Sequence, residues 1–303
     1  MQMYLQKELR TPAAAVQTLI DERFDRLNIQ LDVLRLDEIH PVVSGNKWFK
    51  LKYYLQKAAE NNIDTIATFG GAYSNHLLAT AYACNKHNLK CIGFVRGEEP
   101  VKYSKTLQDV KALNMQLEFL PRKIYADKQS ILHENTNMLF IPEGGYGETG
   151  AKGAAEILSM VSNLSFYNHI VCAAGTGTTL AGIANASMLK QQCIGISALK
   201  NNFSLEDEMF YLVNDEAKNR TTFLHDYNFG GYAKHTQQLF DFMNKIWTAH
   251  RLPLDFVYTA KALYAIYDIA GKNFFPPHSR ILFIHSGGLQ GNRSLPRDLL
   301  AYN

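Results

Sequence analysis

The chain has 303 residues, which at about 150 residues per domain suggests two domains. Apolar residues make up 47% and charged residues 19%, enough for a sizeable core and unlike a disordered composition. The 31 basic and 28 acidic residues leave a net charge of +3 with no basic run for nucleic acid, and no apolar run approaches the roughly eighteen residues of a membrane span.

The first residues, MQMYLQKELRTPAAAV, mix charge early and lack the basic-then-apolar layout of a signal peptide, so a soluble cytoplasmic protein is expected. Short apolar strands then alternate with helical stretches. Strand 65–69 (TIATF) precedes a helix over 74–88, in which Leu77, Ala81 and Cys84 share one face. Strand 91–95 (CIGFV) precedes a helix near 103–113, and 138–142 (MLFIP) precedes 151–161. Strand 169–174 (HIVCAA) precedes a helix over 178–189, and 193–198 is a further buried strand. Leu239, Phe242, Met243 and Ile246 mark a core-facing helix, and 280–285 (RILFIH) is a final strand. Continuous apolar runs alternating with helices imply parallel sheet covered on both faces. No linker rich in Pro, Gly or Ser divides the chain, so two domains would be interleaved. Cys84, Cys91, Cys172 and Cys193 form no C-x-x-C pair and read as buried free thiols.

Ligands of open α/β sheets bind outside the carboxyl ends of the strands, which focuses attention on four turns. In Ser44-Gly45-Asn46-Lys47, the lysine is either a solvated surface residue or a desolvated amine fit for Schiff-base chemistry. In Gly70-Gly71-Ala72-Tyr73-Ser74-Asn75-His76, the polar residues either cap a helix or frame amides that grip a carboxylate. Gly145-Tyr146-Gly147-Glu148-Thr149-Gly150 satisfies G-x-G-x-x-G, but the next strand lacks the terminal acidic residue that a dinucleotide site needs. Gly175, Thr176, Gly177, Thr178 and Thr179 open a helix after a buried strand. They suit one phosphate group or form a tight turn. They are not a P-loop, because no Lys-Ser/Thr follows.

S-G-N-K-x-x-K-L, then G-G-x-x-S-N-H, then a Gly/Thr loop, together resemble the pyridoxal-phosphate enzymes of tryptophan-synthase β-like fold (fold type II). More narrowly the set resembles the 1-aminocyclopropane-1-carboxylate deaminase and D-cysteine desulfhydrase family, over about residues 31–288. The resemblance implies an α/β protein with two interleaved three-layer α/β/α domains and mostly parallel sheets. The large domain would comprise 1–48 plus 158–303 and the small inserted one 49–157. It implies pyridoxal phosphate as cofactor, a small amino acid as substrate and a homodimer.

Residue by residue, the resemblance makes Lys47 the Schiff-base lysine and Lys50 a second lysine on the phosphate side. Asn75 would bond the phenolic oxygen of the cofactor, and Gly175 to Thr179 would hold its phosphate. Ser74, Asn75 and His76 would receive the substrate, with Ser74 or Lys47 moving the α-proton. Tyr232 and Tyr258 would be the active-site tyrosines. Thr259 would face the ring nitrogen, where the deaminases resemble one another in carrying glutamate. Thr259 and His76 favour the desulfhydrase branch. Leu77-Leu78-Ala79 after His76, and Leu34-Arg35-Leu36-Asp37 upstream, depart from the family pattern around the substrate. A deaminase is the alternative, with a nucleotide-dependent oxidoreductase using Gly145 to Gly150, or a binding protein without turnover, more remote.

Overall fold

The computed structural model describes residues 13–128, 131, 138–202 and 204–302. Most of the amino-terminal stretch read for a signal lies outside the described residues. Among the described residues, no helix is long and apolar enough to cross a membrane.

The first elements are β1 (Val16–Thr18), α1 (Glu22–Arg26) and β2 (Gln30–Arg35). The chain continues through α2 (Asn46–Glu60), β3 (Thr65–Gly70), α3 (Asn75–Lys86), β4 (Lys90–Arg96) and α4 (Lys105–Ala112). Next come β5 (Met115–Leu120), α5 (Arg122–Ala126), β6 (Leu139–Ile141) and α6 (Glu148–Ala155). The second half holds β7 (His169–Ala174), α7 (Thr178–Ala186), β8 (Gln192–Ser197), α8 (Leu205–Phe210) and α9 (Asp215–Lys218). It closes with β9 (Thr221–Leu224), α10 (Gln237–His250), α11 (Thr259–Gly271) and β10 (Arg280–His285).

These strands form a six-stranded sheet, ordered β1-β2-β10-β7-β8-β9, and a four-stranded sheet, ordered β5-β4-β3-β6. Every pairing is parallel except the antiparallel edge pair β1–β2. In β7, Val171 and Cys172 face opposite sides and both are fully buried, as a strand covered on both faces requires. One face of the larger sheet packs on α10 and α11 through Leu239, Met243, Leu263 and Ile266. Its other face packs on α6 and α7 through Ala151, Ala154, Leu180 and Ala184. On the smaller sheet, Leu77, Ala81 and Cys84 of α3 are all fully buried on one side, while Phe69, Phe94 and Tyr125 form a separate cluster. Phe242 is the half-buried member of the α10 stripe and packs on the rings of Tyr264 and Tyr267.

Helix α6 begins at Glu148 and tightens to a 3₁₀ turn over Glu156–Met160, so the stretch 151–161 is not one regular helix. Gly153 and Gly182 explain how closely it packs. A Cβ on Gly153 would lie 2.0 Å from the carbonyl oxygen of Phe49, and one on Gly182 would lie 2.3 Å from that of Ala151. Helix α6, within the span assigned to the inserted unit, thus shares its core with the larger sheet. All four cysteines are buried and free.

Candidate active site

The carboxyl ends of both sheets open onto one cavity of about 400 Å³. Its walls include Lys47, Lys50, Ser74, Asn75, His76, Gly175, Thr176, Gly177, Thr179, Tyr232 and Tyr258. Residues scattered over more than two hundred positions of sequence meet because strand-end loops from both sheets converge. Thr178 and Thr259 are fully buried and do not line the cavity.

Lys47 sits in the first turn of α2, whose N-cap is Gly45 with φ of 70°. The side chain is half-buried and its amine faces the cavity. Burial pushes its pKa down to about 8, against an opposing pull from the charge of Asp255. Lys50, one turn on, is buried and donates to the carbonyl of Gly144 at 3.0 Å. Burial and the neighbouring Lys47 charge hold Lys50 well below the usual lysine range. The neutral fraction of Lys47 therefore rises through about pH 8, not 10.5. Capture of added pyridoxal phosphate by the cofactor-free protein, followed by stopped-flow absorbance, should accelerate with pH about a midpoint near 8. A midpoint near 10.5 would mean a solvated lysine.

Ser74 caps α3, its Oγ accepting the amide of Leu77 at 3.2 Å, which leaves its hydrogen to donate. The Asn75 amide donates to the carbonyl of Gly288 at 3.3 Å, and its Oδ1 is buried without a partner. His76 lies 2.9 Å through Nε2 from Thr68 Oγ1, whose own hydrogen goes to Ile141 at 2.7 Å. This network assigns the proton to Nε2 and leaves Nδ1 a buried acceptor without a partner. Burial and the charges of Lys47 and Lys50 hold the imidazole well below its usual pKa, hence neutral.

Opposite these residues, Gly177 enters α7 with φ of 72°. A Cβ there would meet Met209 at 2.6 Å, and one on Gly175 would meet the Tyr258 ring at 3.0 Å. The loop therefore presents bare amides at a helix N-terminus, ready for an anion. Asn46 donates to Thr179 Oγ1 at 2.8 Å and so ties the lysine turn to this cradle.

Tyr232 and Tyr258 pack edge to face, with centroids 6.2 Å apart. Burial pushes both phenols up, so both keep their protons at neutral pH. The hydroxyl of Thr259 donates to Asp255 Oδ1 at 2.8 Å and accepts the amide of Asp255 at 2.8 Å. Asp255 also accepts the amides of Val257, Tyr258 and Thr259. Burial pushes its carboxyl up, and these donors pull it back. Asp255 was within reach of sequence reasoning, because an aspartate just ahead of a helix is a capping signal. Glu143 and Arg96 also line the cavity, Glu143 paired with Lys128 at 2.8 Å, and no sequence motif marks either. The glycines after β6 carry no dinucleotide signature. The carbonyl of Gly144 is taken by Lys50, and a Cβ on Gly150 would strike the Gly145 carbonyl at 2.0 Å.

A low-pKa amine facing an amide cradle for a phosphate, between two mostly parallel α/β units, defines an enzyme site for a phosphorylated aldehyde cofactor. The chain belongs to the family described as pyridoxal-phosphate dependent enzymes, whose sequence model matches residues 10–287. Within that family it is similar to a protein of Pyrococcus horikoshii provisionally named 1-aminocyclopropane-1-carboxylate deaminase. The two are 30% identical over 266 residues, 82% of this chain and 81% of the relative. It is also similar to an Arabidopsis thaliana mitochondrial protein named bifunctional D-cysteine desulfhydrase/1-aminocyclopropane-1-carboxylate deaminase, at 28% identity over 82% of this chain and 70% of that one. A crystal structure titled as an ACC deaminase homologue superposes with a TM-score of 0.79 and 28% identity, covering 96% of this chain and 95% of that one. The fold is fold type II of these enzymes. The residues present fit the cofactor: a reactive amine, an amide cradle, and unpartnered buried polar atoms on Asn75 and His76.

Proposed function

We propose that the protein eliminates the β-substituent of a small amino acid, with D-cysteine and water giving pyruvate, sulfide and ammonia. The observation that carries this reading is that position 259 offers the cavity no carboxylate: Thr259 is buried with its hydroxyl committed to Asp255, where the deaminases resembled above carry a glutamate. Without a carboxylate from that position the ring nitrogen would be less charged, and elimination of a good leaving group demands less carbanion stabilisation than opening a cyclopropane.

Lys47 is the covalent anchor of the cofactor in this proposal. Gly175, Thr176, Gly177 and Thr179 would hold the phosphate, with Lys50 on the phosphate side and Asn75 bonding the phenolic oxygen. When bound, pyridoxal phosphate supplies an electron sink for the pair left by the departing α-proton. The α3 N-terminus at Ser74–His76 receives the substrate carboxylate. Lys47 Nζ takes the α-proton, because Ser74 Oγ already accepts the Leu77 amide whereas the lysine is in part neutral near pH 8. The Tyr232–Tyr258 pair, kept protonated by burial, donates to the leaving sulfur. A homodimeric state, carried from the resemblance, and a cytoplasmic location, carried from the sequence reading, are part of the same proposal.

Sulfide release from D-cysteine, assayed against 2-oxobutyrate release from 1-aminocyclopropane-1-carboxylate, tests the reading. Sulfide with pyruvate is the expected result; 2-oxobutyrate without sulfide would establish the deaminase instead.

A further inference from the structure

Lys261 has no place in the chemistry described so far, yet it is fully buried in the first turn of α11. Among the described residues its ammonium pairs with no carboxylate. It donates to three backbone carbonyls: Gly231 at 2.7 Å, Asn228 at 2.8 Å and Ala198 at 3.4 Å. An ammonium has three hydrogens, so these acceptors saturate it. Two of them belong to the loop that ends in Tyr232, and the third follows β8. The start of that loop is held to α11 by Tyr227, whose hydroxyl donates to Asp268 at 2.7 Å, and by the Phe229 ring against Tyr264 at 5.1 Å. Nearer Tyr232 the fixing is weaker: Gly230 and Gly231 adopt φ of 93° and 118°, and their amides bond only locally, Gly230 to the Asn228 side chain and Gly231 to the Asn228 carbonyl. Tyr232 itself is 46% exposed and rests on Tyr258. Tyr258 and Lys261 begin the same helix, so one buried cation joins the two elements that carry the tyrosine pair.

We propose that Lys261 is a positioning residue whose ammonium, clasped by three carbonyls, holds Tyr232 against Tyr258 over the cavity. A neutral side chain would leave those carbonyls buried and unpaired, and the loop would open toward water to satisfy them. The catalytic part of this inference rests on the role given to Tyr232 in elimination; the structural part does not.

The experiment uses the cofactor-loaded protein and the variants Lys261→Met and Lys261→Gln. Hydrogen exchange read by mass spectrometry should accelerate at least tenfold over 228–234 in Lys261→Met. Exchange in α11 and the cofactor absorbance should stay as in the wild type. Lys261→Gln, which keeps two donors, should fall between, and it serves alone if the methionine variant does not fold. Unchanged exchange over 228–234 would overturn the proposal, whatever the substrate proves to be. Turnover supplies the second readout. If Lys261 acts through Tyr232, Lys261→Met lowers kcat about as much as Tyr232→Phe, and the double variant falls no further than the worse single one. Losses that multiply would show that Lys261 acts independently of Tyr232 and would overturn the assignment.

Discussion

Lys47→Ala should lose the visible absorbance of the lysine-bound cofactor, and turnover should fall on the order of 10³-fold or more. The protein should still fold, because Lys47 is half-buried on a cavity wall and holds no core residue in place. Pyridoxal phosphate should still bind the variant, more weakly, through the Gly175–Thr179 cradle. Equilibrium dialysis would read that binding while the spectrum reads the covalent bond. Lys47→Arg should fail as fully as alanine, since a guanidinium stays protonated and cannot attack a carbonyl. A Lys47→Ala spectrum identical to the wild type would move the anchor elsewhere, with Lys50 next in line. The charge arrangement argues against Lys50. Its amine is engaged by the Gly144 carbonyl, whereas Lys47 has no acceptor among the described hydrogen bonds.

Unbroken apolar runs were legible as strands: HIVCAA and RILFIH match β7 and β10 residue for residue. Strand β2 (QLDVLR) lies inside the sheet and was not legible, because buried Asp32 and Arg35 interrupt its apolar run. Strands β1 and β9 escape that criterion. They are short sheet edges, VQT and TTFL, with one side open and no run to detect. Strand β5, also an edge, carries Gln116 and Glu118 on its open face. The site divides the same way. Lys47, Ser74, Asn75 and the 175–179 loop were legible because each sits in a strand-end turn whose glycines and caps leave a local pattern. Glu143, Arg96 and Lys261 were not, and the capping pattern at Asp255 marks a helix start without marking a site. Their significance comes from what the tertiary fold brings to them: four donors on the Asp255 carboxylate, a cavity wall for Glu143 and Arg96, three carbonyls around the Lys261 ammonium. Thr259 shows the limit of a residue-by-residue resemblance. The position matches, but its hydroxyl is spent on Asp255 and reaches no cavity surface.

Gly45→Ala should be the most damaging single methyl in the protein. The residue stands at φ of 70°, and its Cβ would sit 1.9 Å from the carbonyl oxygen of Ser286 and 2.8 Å from the Cα of Gly287. Both obstacles are backbone, so no rotamer relieves them. The loop after β2 and the loop after β10 touch there, joined by the Asn46 amide donating to Ser286 at 3.1 Å. Separating them moves Lys47 away from Gly288 and Asn75 across the cavity floor. Left-handed strain plus overpacking should cost about 3 kcal/mol in denaturant unfolding. Gly97→Ala is the control: it too has a positive φ, at 110°, but a Cβ there meets nothing within 4 Å. It should lose only about 1–2 kcal/mol of conformational energy and keep cofactor capture intact. Equal losses in the two variants would mean that backbone strain alone matters and that the contact between the two loops does not set the lysine. A larger loss in Gly45→Ala, with slowed capture of pyridoxal phosphate, would show that the apposition of two glycine-lined strand ends aims the amine.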